Sequence, residues 1–173
     1  MGAVKVLQVV GFKNSGKTSL LSFFLDEAAK NGKAVSTIKH HGHGGEPDMP
    51  PASTDSMRFF HEGAVSSLVY GGGVIGLHSR QKEASLEQLI ALSMQAKPDL
   101  ILVEGFKEAD FEKVVLVRSD DEWQQLNHLK RIRLVIAPKE LPIVGVRTVE
   151  RNSQQFLKNW FSEWMEGDED ESI

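Results

Sequence analysis

The segment from Gly11 to Thr18, Gly-Phe-Lys-Asn-Ser-Gly-Lys-Thr, constrains the fold of this chain more than any other feature. It completes the pattern Gly-x-x-x-x-Gly-Lys-Ser/Thr of a phosphate-binding loop. Such a loop works where a strand ends and a helix begins, because the first backbone N–H groups of a helix have no partner within it and point at a bound anion. The apolar run 4–10 before the segment predicts a strand, and residues 19–25 after it predict a helix. The sequence therefore predicts binding of a nucleoside triphosphate.

Each residue type in this loop has its own expected role. The two glycines let the backbone curl around a phosphate, the lysine reaches the β- and γ-phosphates, and the threonine hydroxyl binds Mg²⁺. We expect Lys17 to act in catalysis as well as in binding, and Thr18 to be a metal ligand. The predicted nucleotide-binding residues of the loop region are Gly11, Asn14, Ser15, Gly16, Lys17, Thr18 and Ser19.

Composition limits the class of protein. A chain of 173 residues is long enough for one domain with a full core, and we expect a domain over 1–166 and an acidic, solvated tail over 167–173. The net charge of −4 argues against nucleic-acid binding driven by overall charge. Cysteine is absent, which excludes disulfides and thiolate metal sites. No apolar run approaches the roughly 20 residues of a membrane span, and no leader pattern is evident, so we expect a cytoplasmic protein with neither nucleic acid nor membrane as a partner.

Strand and helix patterns alternate along the chain, which is typical of an α/β fold. We predict a P-loop NTPase fold with a mainly parallel sheet, helices on both faces and a β-hairpin around 71–73. The aromatic face of the last helix is expected in the core or in a subunit contact, and not at a cofactor. The predicted strands are 4–10, 34–38, 64–70, 74–78, 100–103, 113–117 and 133–136, and the predicted helices are 19–30, 55–62, 85–97, 121–126 and 156–164.

A second acidic group is expected near the loop, because Mg²⁺ is held by a carboxylate together with phosphates and waters. Glu104 follows the apolar residues 100–103 and so lies at the carboxyl end of a strand, the edge where the phosphate loop also lies. We predict that Glu104 is a metal ligand with a catalytic role. Gly105 would let the backbone approach the terminal phosphate.

The segment from Thr37 to His43, Thr-Ile-Lys-His-His-Gly-His, leaves the second predicted strand at the same edge. Lys39 is expected to add positive charge near the phosphates, with His40 beside it. The three histidines could bind a metal, orient a substrate or lie in a solvated loop; adjacent strand residues project to opposite sides, which disfavours a preformed metal site. Asp55 is expected either to supply charge near Mg²⁺ or to cap the helix that follows.

The base of the nucleotide does not follow from the residues alone. Many GTPases read guanine with an Asn-Lys-x-Asp segment after a late strand, and this chain has none. The segment 136–140, Ile-Ala-Pro-Lys-Glu, is the only one in a similar position.

Four segments together resemble a known family. They are the phosphate loop, residues 37–43, the Asp-Ser pair at 55–56, and residues 102–107 with the sequence Leu-Val-Glu-Gly-Phe-Lys. In this order and spacing the chain resembles the molybdopterin-guanine dinucleotide biosynthesis protein B family from Val4 to about Trp164. The resemblance implies a GTP-binding homodimer with weak GTPase activity that assists a separate molybdenum cofactor guanylyltransferase. It also implies that the hairpin makes exchanged sheet contacts.

By position, the resemblance assigns phosphates and Mg²⁺ to Gly16, Lys17 and Thr18, and it places Glu104 and Gly105 at the metal and terminal phosphate. It also places Lys39 and His40 along the same edge. Relatives often carry Asp-x-x-Gly-Lys-Asp-Ser before the third helix, whereas residues 48–56 here lack the Gly-Lys. Molybdopterin therefore stays a further candidate ligand without an assigned site.

Three alternatives stay open at this level. The histidine segment is compatible with a nickel-insertion GTPase, although the missing cysteines count against it. A small-molecule kinase with a P-loop would need an arginine-rich lid, for which the chain offers Arg118, Arg131 and Arg133. A regulatory module, in which the nucleotide switches a partner contact, would need no useful turnover.

Overall fold

The computed structural model describes residues 4–42 and 45–167. The chain divides into two compact units, residues 1–40 together with 86–173, and residues 41–85. The strands are β1 (Lys5–Gly11), β2 (Val35–Lys39), β3 (Ser66–Gly71), β4 (Val74–Ser79), β5 (Leu100–Glu104), β6 (Glu112–Leu116), β7 (Ile132–Ile136) and β8 (Thr148–Val149). The helices are α1 (Lys17–Lys30), α2 (Asp55–His61), α3 (Leu86–Ser93), α4 (Asp120–Leu126) and α5 (Gln154–Glu166). The predicted domain 1–166 stays a prediction, and residues 168–173 of the expected tail lie outside those described.

The first unit contains a six-stranded sheet in the order β2-β5-β1-β6-β7-β8, and each neighbouring pair is parallel. The mainly parallel sheet that we predicted is thereby confirmed. Strands β5 and β2 lie on one side of β1, and strands β6, β7 and β8 lie on the other. The chain therefore first crosses from β1 to β2 on one side, and later extends the sheet from β6 on the other side. Ligands of open α/β sheets bind at the carboxyl edge where the strand order reverses in this way. This point lies at the end of β1, where the phosphate loop begins.

Alternating side chains of β1 divide the core between the two faces of the sheet. Leu7 and Val9 belong to a cluster with α1 and α5, while Val6 and Val10 belong to clusters with α3 and α4. Helices therefore cover both faces of the sheet, as the sequence predicts. The strand 100–103 between β2 and β1 is buried along its length, which explains its continuous apolar sequence.

The aromatic face of α5 lies in the core. Phe161 is fully buried and stacks on Phe24 of α1 with ring centroids 4.3 Å apart. Trp164 stacks on Phe161 at 5.7 Å, and its indole N–H donates to Glu112 of β6 over 2.5 Å. These contacts fix α5 to α1 and to the sheet.

The second unit contains α2 and the antiparallel hairpin of β3 and β4, which confirms the predicted hairpin. The Ser67 hydroxyl of β3 donates to the Ser56 carbonyl of α2 over 2.9 Å. The hairpin carries several exposed apolar side chains, among them Leu68, Tyr70 and Ile75.

Two features depart from the sequence prediction by more than a shift of one or two residues at the end of an element. Strand β8 was not predicted, because two residues are too few to produce an alternating pattern. The third helix ends earlier than predicted, at Ser93, and a 3₁₀ turn over Met94–Ala96 leads to Lys97, which has a φ of 51°. Within the described residues, none of the helices has both the length and the apolar character needed to cross a bilayer.

Candidate nucleotide site

The phosphate loop joins the carboxyl end of β1 to the first residue of α1. Gly16 precedes the helix with a φ of 91°, a left-handed conformation that favours glycine. The first helical hydrogen bond runs from the Leu20 N–H to the Gly16 carbonyl over 3.1 Å. The N–H groups of Lys17, Thr18 and Ser19 therefore precede the helical hydrogen-bond ladder and are available to an anion.

Gly11 has a steric role at the start of the loop. A Cβ atom at this position would lie 2.7 Å from both the Leu116 carbonyl oxygen and Ser15 Oγ. Ser15 itself is buried, and among the described residues its hydroxyl has no hydrogen-bond partner. We therefore expect Ser15 to contribute to the loop through its backbone.

Lys17 is held across the loop. Its Nζ donates to the Phe12 carbonyl over 2.7 Å. Burial lowers the pKa of Lys17 below its ordinary value; Glu104 opposes this shift, and the positive charges of Lys39 and Arg118 reinforce it. The ammonium group thus lies in a partly desolvated, cation-rich place where a phosphate would be attracted.

Thr18 and Glu104 meet although they are far apart in sequence. The Thr18 hydroxyl donates to Glu104 Oε2 over 2.9 Å, and Lys39 Nζ lies 3.5 Å from Glu104 Oε1. The carboxylate is largely buried, with 12% of its side chain exposed, while the Lys39 side chain is 60% exposed. A hydroxyl and a carboxylate are oxygen donors of the kind that Mg²⁺ takes alongside phosphates and waters.

The end of β5 is braced by its neighbours. Gly105 has a φ of 92°, and a Cβ atom on it would come within 3.0 Å of the His40 Cβ. The His40 N–H donates to the Glu104 carbonyl over 2.9 Å, and its ring lies against Phe106 with centroids 4.7 Å apart. His40 therefore packs beside the acidic strand end.

Gln8 of β1 is a supporting residue that our sequence reasoning missed. Its side chain is fully buried and donates to the carbonyls of Gly105 and Phe106 over 3.0 and 2.7 Å. It thereby holds the segment that follows Glu104. A polar residue inside the apolar run 4–10 was the signal that could have identified it.

The other predicted residues are placed as follows. Asn14 lies at the loop tip with a φ of 60°, and Ser19 is exposed on the first turn of α1. Asp55 begins α2 in the second unit, where its carboxylate lies 3.6 Å from Arg58, so its role at a metal stays a prediction. His41 is exposed, and His43 lies outside the described residues. Within 4–42 and 45–167, no three His, Asp or Glu side chains form a group suited to a metal ion.

The arginines considered for a kinase lid are mostly engaged elsewhere. Arg118 is bound by Glu122, with its Nε 2.9 Å from Oε1. Arg133 pairs with Glu112 at 3.1 Å. Arg118 nevertheless influences Lys17 from the end of β6, so it belongs to the positive surroundings of the loop. Arg151 also contacts the loop, and no sequence signal pointed to it.

A parallel sheet with this loop at its switch point and an acidic strand end beside the loop threonine defines a P-loop nucleotide-binding protein. Residues 6–138 match the family described as Molybdopterin guanine dinucleotide synthesis protein B. Because that match spans more than half of the chain, the protein belongs to this family.

Individual relatives agree with this assignment. A Bacillus subtilis (strain 168) protein named as a probable molybdopterin-guanine dinucleotide biosynthesis adapter protein is 37% identical over 135 residues, which is 78% of each chain. The adapter protein of that name from Escherichia coli (strain K12) is 29% identical over 168 residues, 94% of each chain. The crystal structure of a MobB protein homolog from Bacillus stearothermophilus covers 92% of this chain and 97% of its own, with 35% identity and a TM-score of 0.74.

Proposed function

We propose that this protein is a GTP- and Mg²⁺-binding adapter in molybdopterin-guanine dinucleotide biosynthesis, and that it assists the molybdenum cofactor guanylyltransferase. The observation that carries the nucleotide part is the hydrogen bond of Thr18 to Glu104 beside the phosphate loop. Family membership supports the pathway.

The residues of the chain have distinct expected tasks in this function. The first N–H groups of α1 and the Lys17 ammonium bind the phosphates, and Thr18 and Glu104 hold the metal. Mg²⁺, when bound, neutralises the charge that develops on the transferred phosphoryl group. Lys39, 3.5 Å from Glu104, adds positive charge at the same edge. Catalysis would thus rest on positioning and charge, with Lys17 and Glu104 as the catalytic residues.

We expect hydrolysis by the isolated chain to be slow. An arginine supplied by a partner contributes roughly 10³–10⁵ in rate to such sites. A slow intrinsic rate suits an adapter, because the triphosphate state then lasts long enough to be recognised by the guanylyltransferase.

Calorimetric titration with GTP and with ATP in Mg²⁺ tests the nucleotide part of the proposal. Wild-type protein should bind GTP more tightly than ATP, and Lys17→Ala should lose most of this affinity. Equal affinity of Lys17→Ala and wild type would overturn the assignment of the loop. The same titration repeated with added molybdopterin tests whether the protein also binds that ligand.

The adapter part needs a separate measurement. Guanylyltransferase turnover should rise when the wild-type chain and GTP are added, and Thr18→Ala should lose the increase. If a saturating concentration of this protein left guanylyltransferase turnover unchanged, the assisting role would be wrong, although nucleotide binding would not be affected by that result.

We also propose a homodimer formed through the β3–β4 hairpin. Leu68, Tyr70 and Ile75 have 64%, 71% and 65% of their surface exposed, an unusual density of apolar surface for one small ribbon. Within the described residues the ribbon has two strands, so each has an outer edge that can pair with a second copy.

Sedimentation velocity tests this interface. Ile75→Glu should shift a wild-type dimer to a monomer, because a carboxylate would be buried without a partner. Val144→Glu is a matched control, since Val144 is a 90% exposed apolar residue of the first unit. A dimer that survives Ile75→Glu and Tyr70→Glu would contradict the hairpin interface.

A further inference from the structure

Arg151 reaches the phosphate loop from the turn between β8 and α5. Its Nη2 donates a hydrogen bond to the carbonyl of Ser15, 136 positions away in the sequence. The guanidinium also lies against Gly16, where it occupies the space that a Cβ atom would take. Arg151 thus contacts the two residues that lead into the first turn of α1.

This is an electrostatically unusual place for a cation. The N-terminus of a helix carries a partial positive charge, and it disfavours a neighbouring cation. The Lys17 ammonium adds to this positive field. Burial and the charges of Lys39 and Arg118 lower the pKa of Lys17, and Glu104 opposes that shift. The hydrogen bond to the Ser15 carbonyl offsets part of the cost. A phosphate in the loop would convert the remaining repulsion into attraction, so the arrangement favours the anion-bound state.

The turn that carries Arg151 is held on both sides. Strand β8 pairs with β7, and the Ser153 N–H donates to the Glu150 carbonyl over 3.1 Å. After the turn, α5 packs on α1 through Phe161 and Phe24. Strand β8 and helix α5 thus hold the turn from both ends, which favours a fixed position of the Arg151 side chain.

We propose that Arg151 is a positioning residue that holds Ser15 and Gly16 in the phosphate-binding shape. It then raises the affinity for any ligand that carries the phosphates, whatever the base. This inference rests on the proposed nucleotide binding, since it assigns a further residue to that site.

The test compares wild type, Arg151→Ala and Arg151→Lys by calorimetry with GTP, GDP and inorganic tripolyphosphate in Mg²⁺. We expect Arg151→Ala to weaken all three ligands by a similar factor of about tenfold, because ordering Ser15 and Gly16 on binding then costs free energy and the phosphates lose a nearby positive charge. Arg151→Lys should recover part of the affinity, because an ammonium can donate to the Ser15 carbonyl but lacks the planar fork. Circular dichroism establishes that each variant is folded at the titration temperature.

Arg147→Ala is the matched control. Arg147 lies on the same segment, but its guanidinium packs 4.7 Å over the Phe156 ring. Its loss should leave the three affinities unchanged.

The outcomes separate this inference from the function on which it rests. Wild-type protein that binds none of the three ligands would overturn the proposed function. Wild-type binding with unchanged affinities in Arg151→Ala, even with a lower melting temperature, would overturn only the role of Arg151. Loss of GTP affinity with tripolyphosphate unaffected would also overturn it, because Arg151 would then contact the base or the sugar.

Discussion

The Thr18 hydroxyl donates a hydrogen bond to Glu104 Oε2 over 2.9 Å, which joins the phosphate loop to the carboxyl end of β5. The two residues are 86 positions apart. Because β5 pairs with β1, the carboxylate is held directly beside the start of α1. This contact gives the most direct test of the metal site.

Glu104→Gln should lower the Mg²⁺-dependent part of GTP affinity by about tenfold or more. The amide oxygen can still accept from Thr18, but the negative charge that favours a divalent cation is lost. Calorimetry with Mg²⁺ and with EDTA measures the effect. Asp99→Asn is the control, because it makes the same charge change at the opposite end of β5, where Asp99 accepts from the Ala34 N–H over 2.6 Å. Equal Mg²⁺ dependence in Glu104→Gln and wild type would contradict a metal role.

Gln8→Met should destabilise the fold by about 1–3 kcal/mol, the net worth of the two hydrogen bonds that its amide donates to partly buried carbonyls. The carbonyls concerned are those of Gly105 and Phe106. Urea unfolding followed by tryptophan fluorescence gives the change in the free energy of unfolding. Gln155→Met on the surface of α5 removes a hydrogen bond to Asn159 and should have little effect. Similar losses in the two variants would mean that Gln8 does not brace the strand end.

Because Lys113 of β6 is buried, we expect the free energy of unfolding to change at alkaline pH. The side chain is fully buried and donates to the carbonyls of Ala109 and Phe111 over 2.5 and 2.7 Å. Burial lowers the pKa of Lys113 from 10.5 to about 8. Between these values the unfolded chain holds a proton that the folded chain has released, so this residue makes the free energy of unfolding rise with pH from about 8 to 10.5.

Urea unfolding of wild type and Lys113→Met at a series of pH values from 7 to 10 isolates this contribution, because other titrating groups are shared. As the pH rises through this window, the free energy of unfolding of the wild type should increase relative to that of Lys113→Met. Parallel pH profiles would show that the folded pKa of Lys113 is not lowered.

Phe161→Ala should cost about 3–5 kcal/mol of unfolding free energy, the range for large aromatic truncations in a core. Phe161 is fully buried between Phe24 and Trp164. Phe156→Ala on the same helix should cost less, because that side chain is only partly buried. Equilibrium unfolding in urea compares the two. A loss at Phe161 no larger than that at Phe156 would contradict the close packing of Phe161 between Phe24 and Trp164.

Much of the fold followed from local patterns. The apolar run 100–103 predicted a strand buried on both faces, and the structure has it between β2 and β1. The Gly71–Gly73 break predicted the hairpin. In contrast, β8 depends on its pairing with β7, and two residues carry no periodicity of their own.

Some residues of the candidate site could likewise be predicted from the sequence, and others could be identified only from the structure. Lys17, Thr18 and Glu104 could be proposed from sequence, because a phosphate loop and an acidic strand end are local patterns with a known chemistry. Their roles stay predictions, whereas their proximity is observed. Gln8 and Arg151 act on the site through contacts with distant parts of the chain, and Arg118 acts on Lys17 through its charge; neither leaves a local pattern.

The sequence by itself determined that Gly11–Thr18 forms a phosphate loop between a strand and a helix, since its glycines, lysine and threonine act at fixed spacing. Only the tertiary structure decided what surrounds that loop. Parallel strand pairing brings the ends of β5 and β8 to the edge where β1 ends, and it thereby places Glu104 at Thr18 and Arg151 at Ser15. The order of strands in a sheet is set by packing between distant segments, so the composition of any one segment does not specify it.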